Sequence, residues 1–73
     1  MSEISIEEAE RIAAEFVTKK RVHAKEIIVN EVTKLDETLR VSGTYADPKI
    51  VGFRFDWEVK IGKNRKVNEY KIH

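Results

Sequence analysis

The first third of the chain has a helical pattern of apolar and polar positions. Between residues 5 and 21 the apolar residues recur at spacings of three and four, which places them in one stripe along a helix. Ser5 and Glu8 have the spacing of a capping box at the start, and Lys19, Lys20 and Arg21 close the segment where cations favour the helix dipole. The stripe consists of Ile6, Ala9, Ile12, Ala13, Phe16 and Val17. This pattern predicts one amphipathic helix.

After residue 25 the period changes from about 3.6 residues to two, which is typical of strands. The predicted strands cover residues 26–35, 38–46, 52–62 and 67–73. Their connections are short and carry turn residues, so successive strands should pair as antiparallel neighbours. The sequence therefore predicts an α+β fold, in which one N-terminal helix packs on a four-stranded antiparallel meander sheet (α-β-β-β-β). We expect residues 1–73 to form a single domain.

The third strand has an apolar residue at every odd position and charges at the even positions between them. Its odd row consists of Phe53, Phe55, Trp57, Val59 and Ile61. Because the helix stripe needs an apolar sheet face to cover, we predict that this row is the floor of the core rather than a ligand platform.

In the last strand, Val67 and Tyr70 have opposite parity, which a strand of unbroken period two does not allow on one face. Either a bulge lies near Asn68 or Val67 points outward, and the sequence leaves both open.

Composition limits the function. A chain of 73 residues uses most of its apolar side chains for one small core and has little left for a deep cleft. The 14 basic and 13 acidic residues give a net charge of +1, so no strong global field draws the protein to nucleic acid or to a membrane. The absence of cysteine and of a long apolar segment predicts a cytoplasmic protein with neither disulfides nor membrane contact. The large charged fraction, 37%, and the Lys and Glu bias are typical of proteins from hot environments.

The helix segment ISIEEAERIAAEFV (4–17) and the hairpin WEVKIGKNRKVNEYKI (57–72) resemble PepSY-type domains, which have an "EEA…IA" helix followed by strands with a "WEV" or "YEV" segment. The layout is also similar to the cystatin-like fold. The PepSY resemblance implies a binding module, since those domains are associated with binding or restraining peptidases. It implies no catalytic residues.

The candidate chemistry is sparse. The two histidines, His23 and His73, lack the spacing to a second histidine or carboxylate that a metal site needs. Asp56 and Glu58 share a strand face, but Arg54 and Lys60 flank them, so we predict a cross-strand ion-pair ladder rather than an acid–base pair. The sequence therefore predicts a protein that is not an enzyme and that uses no metal or cofactor.

A protein partner or self-association is the first functional hypothesis. The first and last strands of a meander are edges, and a homodimer or a partner strand could join there or on the outer face. We predict that Ile28, Val32 and Ile50 form a small apolar patch on the face away from the helix.

Nucleic-acid binding is the alternative hypothesis. Two local basic clusters, residues 19–25 and 63–66, could contact phosphates, and a strand with three aromatic residues is typical of single-strand binders. The candidate phosphate-binding residues are Lys19, Lys20, Arg21, Lys25, Lys63, Arg65 and Lys66.

Overall fold

The computed structural model describes residues 4–72, and the predicted α+β meander is confirmed. The elements are α1 (Ile6–Lys20), β1 (Lys25–Leu35), β2 (Thr38–Asp47), β3 (Ile50–Ile61) and β4 (Val67–Ile72). The strands lie in the order β1-β2-β3-β4, and each is antiparallel to the next. The helix covers one face of the sheet, called here the helix side, and the opposite face is the outer face. His73 lies outside the described residues.

The helix begins where the capping pattern predicts. Ser5 is the N-cap, and its Oγ accepts a hydrogen bond of 3.0 Å from the backbone N–H of Glu8. The Glu8 carboxylate pairs with Arg65 in the β3–β4 turn, at 2.7 Å, and so ties the helix start to the sheet. At the other end the N–H of Arg21 donates to the carbonyl of Val17.

The core lies between the helix and the middle of the sheet. Its buried members are Ala9, Ala13, Val17, Val41, Tyr45, Trp57, Val59 and Ile61. Alanine at two of the helix positions lets the helix backbone approach the sheet closely, and Trp57 fills the space over Gly43, which lies directly opposite on β2. The Trp57 indole N–H donates to the carbonyl of Thr44 at 3.1 Å, so its polar group is satisfied.

β1 contains a bulge at Asn30 that changes which side chains face the helix. Val29 lies opposite Gly43, Glu31 opposite Ser42 and Val32 opposite Val41, so Asn30 has no partner in this ladder. Because directly opposite residues share a face, the bulge turns Val32 to the helix side, where it packs against the core.

The irregularity in the last strand is a bulge. Lys60 lies opposite Glu69 and Ile61 opposite Val67, which leaves Asn68 as the extra residue. Val67 therefore shares the helix side with the buried Ile61 and packs against the core. Of the two possibilities that the sequence left open, the bulge near Asn68 is correct.

One part of the predicted core floor is wrong. Trp57, Val59 and Ile61 are buried and Phe55 is half-buried, but 66% of Phe53 is exposed. A helix of 15 residues is about 22 Å long, whereas the longest dimension of the molecule is 43 Å. The helix therefore ends before the tip of the β2–β3 hairpin, and Phe53 lies in the uncovered part.

Candidate interaction surface

The tip of the β2–β3 hairpin exposes three large apolar side chains. Val51 is 88% exposed, Phe53 66% and Ile50 43%. All three follow the Pro48–Lys49 turn. In the register between β2 and β3, Ala46 pairs with Arg54 and the next residue, Asp47, pairs with Ile50. Residues 51–53 thus have no partners on β2 and form an exposed apolar loop at the start of β3.

Local backbone chemistry shapes this loop. The Asp47 carboxylate accepts a hydrogen bond of 2.8 Å from the backbone N–H of Lys49 across the turn. Gly52 has φ +88°, a conformation that L-residues with a side chain rarely adopt, and it makes the bulge possible. Below the loop the rings of Tyr45 and Phe55 stack at 5.5 Å and form its base.

The first basic cluster lies at the same end of the molecule. Lys25 pairs with Ala46, next to the turn residues of the β2–β3 hairpin, and residues 21–24 lead into that position from the end of the helix. Val22, which is 75% exposed, lies in this connection. We call the segments 19–25 and 47–53 together the basic–apolar end.

The basic–apolar end is distinct from the rest of the surface in both hydrophobicity and charge. Of the six large apolar side chains that are exposed among residues 4–72, four lie there, so exposed apolar area is concentrated rather than scattered. The two segments contain five basic residues and one acidic residue, whereas the whole chain has a net charge of +1. The remainder of the chain is therefore net negative, and the molecule is electrically polarised.

Arg54 fixes this end to the edge of the sheet. From the outer face of β3 its guanidinium donates to the Thr44 hydroxyl at 3.0 Å, to the Glu26 carboxylate at 3.2 Å and to the Glu26 carbonyl at 2.5 Å. Glu26 belongs to a second bulge of β1 and has φ +51°. One side chain thus connects three strands and holds the start of β1 beside the hairpin.

Arg54→Lys should reduce the free energy of unfolding, because an ammonium group cannot reproduce the three directed hydrogen bonds of the guanidinium. The loss should be only about 1 kcal/mol, since the Arg54–Glu26 ion pair is only partly shielded from solvent. Guanidinium chloride unfolding of the two proteins measures the difference. Arg11→Lys, at an exposed helix position, is the matched control and should leave the midpoint unchanged. Equal midpoints for wild type and Arg54→Lys would show that the three bonds contribute nothing.

The opposite end of the molecule contains a groove of about 610 Å³ between the start of the helix and the sheet. Its apolar wall consists of Ile4, Ile6, Val32, Leu39 and Ile61. Ile6 is 62% exposed, so the groove is open to solvent on the helix side. Two acidic and two basic residues surround it, namely Asp36, Glu37, Lys34 and Lys63. We call this feature the N-terminal groove.

The structure does not bring the predicted patch of Ile28, Val32 and Ile50 together. Ile28 lies opposite Thr44 on the outer face and is 48% exposed, but Val32 faces the helix because of the bulge at Asn30. Ile50 lies beside the hairpin turn, opposite Asp47. The alternation in the sequence concealed this separation, because a single inserted residue reverses the parity of everything after it.

The two predicted basic clusters lie at opposite ends of the molecule. Lys63 pairs with Glu37 and Arg65 with Glu8, so the 63–66 turn is adjacent to the start of the helix and two of its three cations are engaged in ion pairs. The hydrogen bond and the positive charge of Lys63 hold the pKa of the Glu37 carboxyl below its usual range. Residues 63–66 therefore do not extend the surface formed by residues 19–25.

The outer face carries ion pairs but not the predicted ladder as a whole. Lys60 pairs with Glu69 on β4 at 2.9 Å, and this hydrogen bond and charge lower the pKa of the Glu69 carboxyl. Arg54 pairs with Glu26 rather than with Asp56.

His23 is exposed. Within residues 4–72 no group of three potential ligands could hold a metal ion, and no helix is both long and apolar enough to cross a bilayer.

Sequence reasoning missed the hairpin tip as a surface. Val51 and Phe53 were the sequence signal for this surface, because apolar residues beside a Pro48–Lys49 turn and a glycine are candidates for exposure when the covering helix is short.

No known protein family, curated protein or solved structure matches this chain.

Proposed function

We propose that the protein is a cytoplasmic protein-interaction module without a catalytic site, and that it binds its partner through the basic–apolar end. The observation that carries this proposal is the exposure of Val51 and Phe53 at the hairpin tip, at the same end of the molecule as a segment with four basic residues. Aromatic and aliphatic side chains that protrude together are typical anchors of protein interfaces, and surrounding cations give orientation and increase the association rate. The resemblance to PepSY-type domains also implies binding rather than catalysis.

The sheet edges fit this role less well than the tip. β1 is interrupted by bulges at residues 26–27 and at Asn30, and β4 by the bulge at Asn68. Bulges and edge lysines such as Lys25 and Lys71 are devices that prevent strand addition. The outer face is mostly polar, with Ile28 as its exposed apolar side chain among the described residues of that face.

Phe53→Glu should abolish partner capture, because it places a carboxylate where an apolar anchor is needed. Wild-type protein, Phe53→Glu and Ile28→Lys would each be immobilised and exposed to lysate of the source cells, and bound proteins identified by mass spectrometry. Ile28→Lys is the matched control, since it also puts a charge at an exposed apolar position but lies on the outer face. We expect a protein that binds wild type and Ile28→Lys but not Phe53→Glu.

Capture of the same proteins by all three baits would contradict binding through the tip. Loss of capture with Ile28→Lys alone would move the interface to the outer face. Near-ultraviolet circular dichroism of each bait would show that the variants are folded.

Nucleic-acid binding remains the second candidate, and one observation favours it. Phe53 is an exposed aromatic side chain at the same end as residues 19–25, so one base could stack there while Lys19, Lys20, Arg21 and Lys25 contact phosphates. The exposed Val22 and Val51 have no role in such a complex, and for this reason we place it second.

Binding of a labelled single-stranded RNA, followed by anisotropy at increasing salt, distinguishes the two candidates. The nucleic-acid function requires an affinity that falls steeply with salt and that Lys20→Glu weakens. No binding at low ionic strength would eliminate it.

A further inference from the structure

The cations of the basic–apolar end are not neutralised by carboxylates of the same molecule. The ion pairs elsewhere on the surface use cations outside both of its segments, namely Arg54, Lys60, Lys63 and Arg65. Within residues 4–72 no carboxylate pairs with the exposed cations of the end, which are Lys19, Lys20, Arg21, Lys25 and Lys49. These five charges therefore face water.

The carboxylates nearest to this end do not offset the excess of positive charge. Glu26 is held by Arg54, and Asp47 accepts a hydrogen bond from the backbone N–H of Lys49 within the turn. Glu15 lies one helical turn before the basic segment, and Asp56 lies on the outer face of β3. With these four carboxylates and Arg54 counted, six basic residues stand against four acidic residues.

The N-terminal groove at the other end shows no such excess. Its rim and the adjoining turns carry four acidic and four basic residues, namely Glu7, Glu8, Asp36, Glu37, Lys34, Lys63, Arg65 and Lys66. Lys63 and Arg65 pair there with Glu37 and Glu8. A surplus of exposed positive charge is thus a property of the basic–apolar end and not of the whole surface.

Cations and exposed apolar side chains are interleaved in both segments of this end. Val22 follows Arg21 directly, and Val51 lies two residues after Lys49. A partner that covers Val22 and Val51 therefore also removes water from the neighbouring cations. Removing water from a cation costs free energy unless an anion takes its place. The partner must bring anions and apolar groups together.

Among anionic partners, an acidic protein segment fits this end best. A nucleic acid supplies phosphates but no aliphatic surface for Val22 and Val51. An anionic membrane supplies both, but it meets the whole end at once and so places anions beside the carboxylates of Glu26 and Asp47 as well. A protein segment can place its Asp or Glu side chains at the cations alone.

We propose that the partner of the basic–apolar end is an acidic protein segment, in which Asp or Glu residues stand beside aliphatic or aromatic residues. This inference rests on the proposed function, because it names the chemistry of the partner that binds the same surface. The apolar side chains of the segment contact Val51 and Phe53, and its carboxylates pair with Arg21 and Lys49. Opposite charges increase the association rate and exclude basic partners.

Selection of random displayed peptides on the immobilised protein tests the chemistry of the partner. Peptides that bind wild type but not Phe53→Ala are kept, so that their binding depends on the tip. We expect these peptides to be net negative and to contain aromatic or aliphatic residues next to the carboxylates. Tip-dependent peptides that are neutral or basic would overturn the inference, as would recovery of no tip-dependent peptide.

Charge-reversed variants measure the contribution of the cations to binding of the recovered peptides. Arg21→Glu and Lys49→Glu should each weaken the affinity by about tenfold, mainly through slower association. The affinity of wild type should also fall as salt is added. Lys66→Glu is the matched control, because it makes the same change of charge at an exposed lysine in the 63–66 turn, and it should bind like wild type.

Equal weakening by all three charge variants would mean that net charge alone matters and would overturn the proposed contact. Unfolding midpoints, followed by Trp57 fluorescence, show that each variant is folded. Co-sedimentation with phosphatidylcholine vesicles, with and without phosphatidylserine, covers the lipid alternative. Tighter binding to the phosphatidylserine vesicles or to single-stranded RNA than to the acidic peptides would overturn the inference.

The inference and the proposed function fail in different ways. Capture of a protein through Phe53 that neither salt nor Arg21→Glu weakens contradicts the acidic partner and leaves the proposed function intact. Binding of both peptides and captured proteins that is the same for wild type and Phe53→Ala contradicts both.

Discussion

Gly43→Ala should destabilise the protein by about 3 kcal/mol, an effect at the upper end of what overpacking costs in a filled core. A Cβ at this position would lie 2.6 Å from Cζ2 of Trp57 and nearer still to the carbonyl oxygen of Ile28. Neither neighbour can move away easily. Trp57 is 1% exposed and bonded to Thr44, and the Ile28 oxygen is part of the adjacent strand. Guanidinium chloride unfolding, followed by Trp57 fluorescence, measures the loss.

Gly52→Ala is the matched control, because the same methyl group is added where the space is open. Among residues 4–72, apart from Gly52 and its two chain neighbours, no atom lies within 4 Å of the added Cβ, so only the strain of φ +88° remains, which costs about 1 kcal/mol. A smaller loss for Gly43→Ala than for Gly52→Ala would show that Trp57 does not lie against β2 as described.

The helix and the strand order were predictable because their signals are local. The stripe from Ile6 to Val17 has the helical period, Ser5 marks its start, and the turns at residues 36–37 and 48–49 are too short to join anything but antiparallel neighbours. These signals involve residues that are close in sequence, so they do not depend on how the elements pack.

The positions of Val32 and Phe53 were not predictable for a common reason. Val32 changes face because Asn30 is an extra residue in β1, and nothing in the alternation of EIIVNEV marks which residue is the extra one. Phe53 continues the parity of the buried Trp57, but its exposure depends on where the helix ends above the sheet. Both are properties of packing between elements, which a period of two does not encode.

The same limit explains why the binding residues predicted from the sequence differ from the surface that the structure forms. The sequence placed apolar binding residues at Ile28, Val32 and Ile50 and basic ones in two clusters, which the fold redistributes. The pairing of Lys25 with Ala46 brings residues 19–25 to the hairpin tip, while the pairs of Lys63 and Arg65 hold the second cluster at the far end. The fold thus places the basic cluster of residues 19–25 at the same end of the molecule as the apolar loop of residues 51–53.

Truncation of two aromatic residues in the same strand should change the free energy of unfolding by very different amounts. Trp57→Ala should cost about 4 kcal/mol, because it empties a large volume in the core and removes the bond to Thr44. Phe53→Ala should change stability by less than about 0.5 kcal/mol, as expected for an exposed side chain with little to lose on unfolding. The same denaturant series, with circular dichroism as the probe since Trp57 is absent from one variant, compares them.

This comparison also separates folding from binding. If Phe53→Ala leaves stability unchanged but weakens partner capture, Phe53 serves the surface rather than the core. If it costs as much as Trp57→Ala, the helix covers the whole odd row of β3, and the tip is part of the core. In that case both candidate functions, protein binding and nucleic-acid binding at the tip, would be wrong, because each depends on an exposed Phe53.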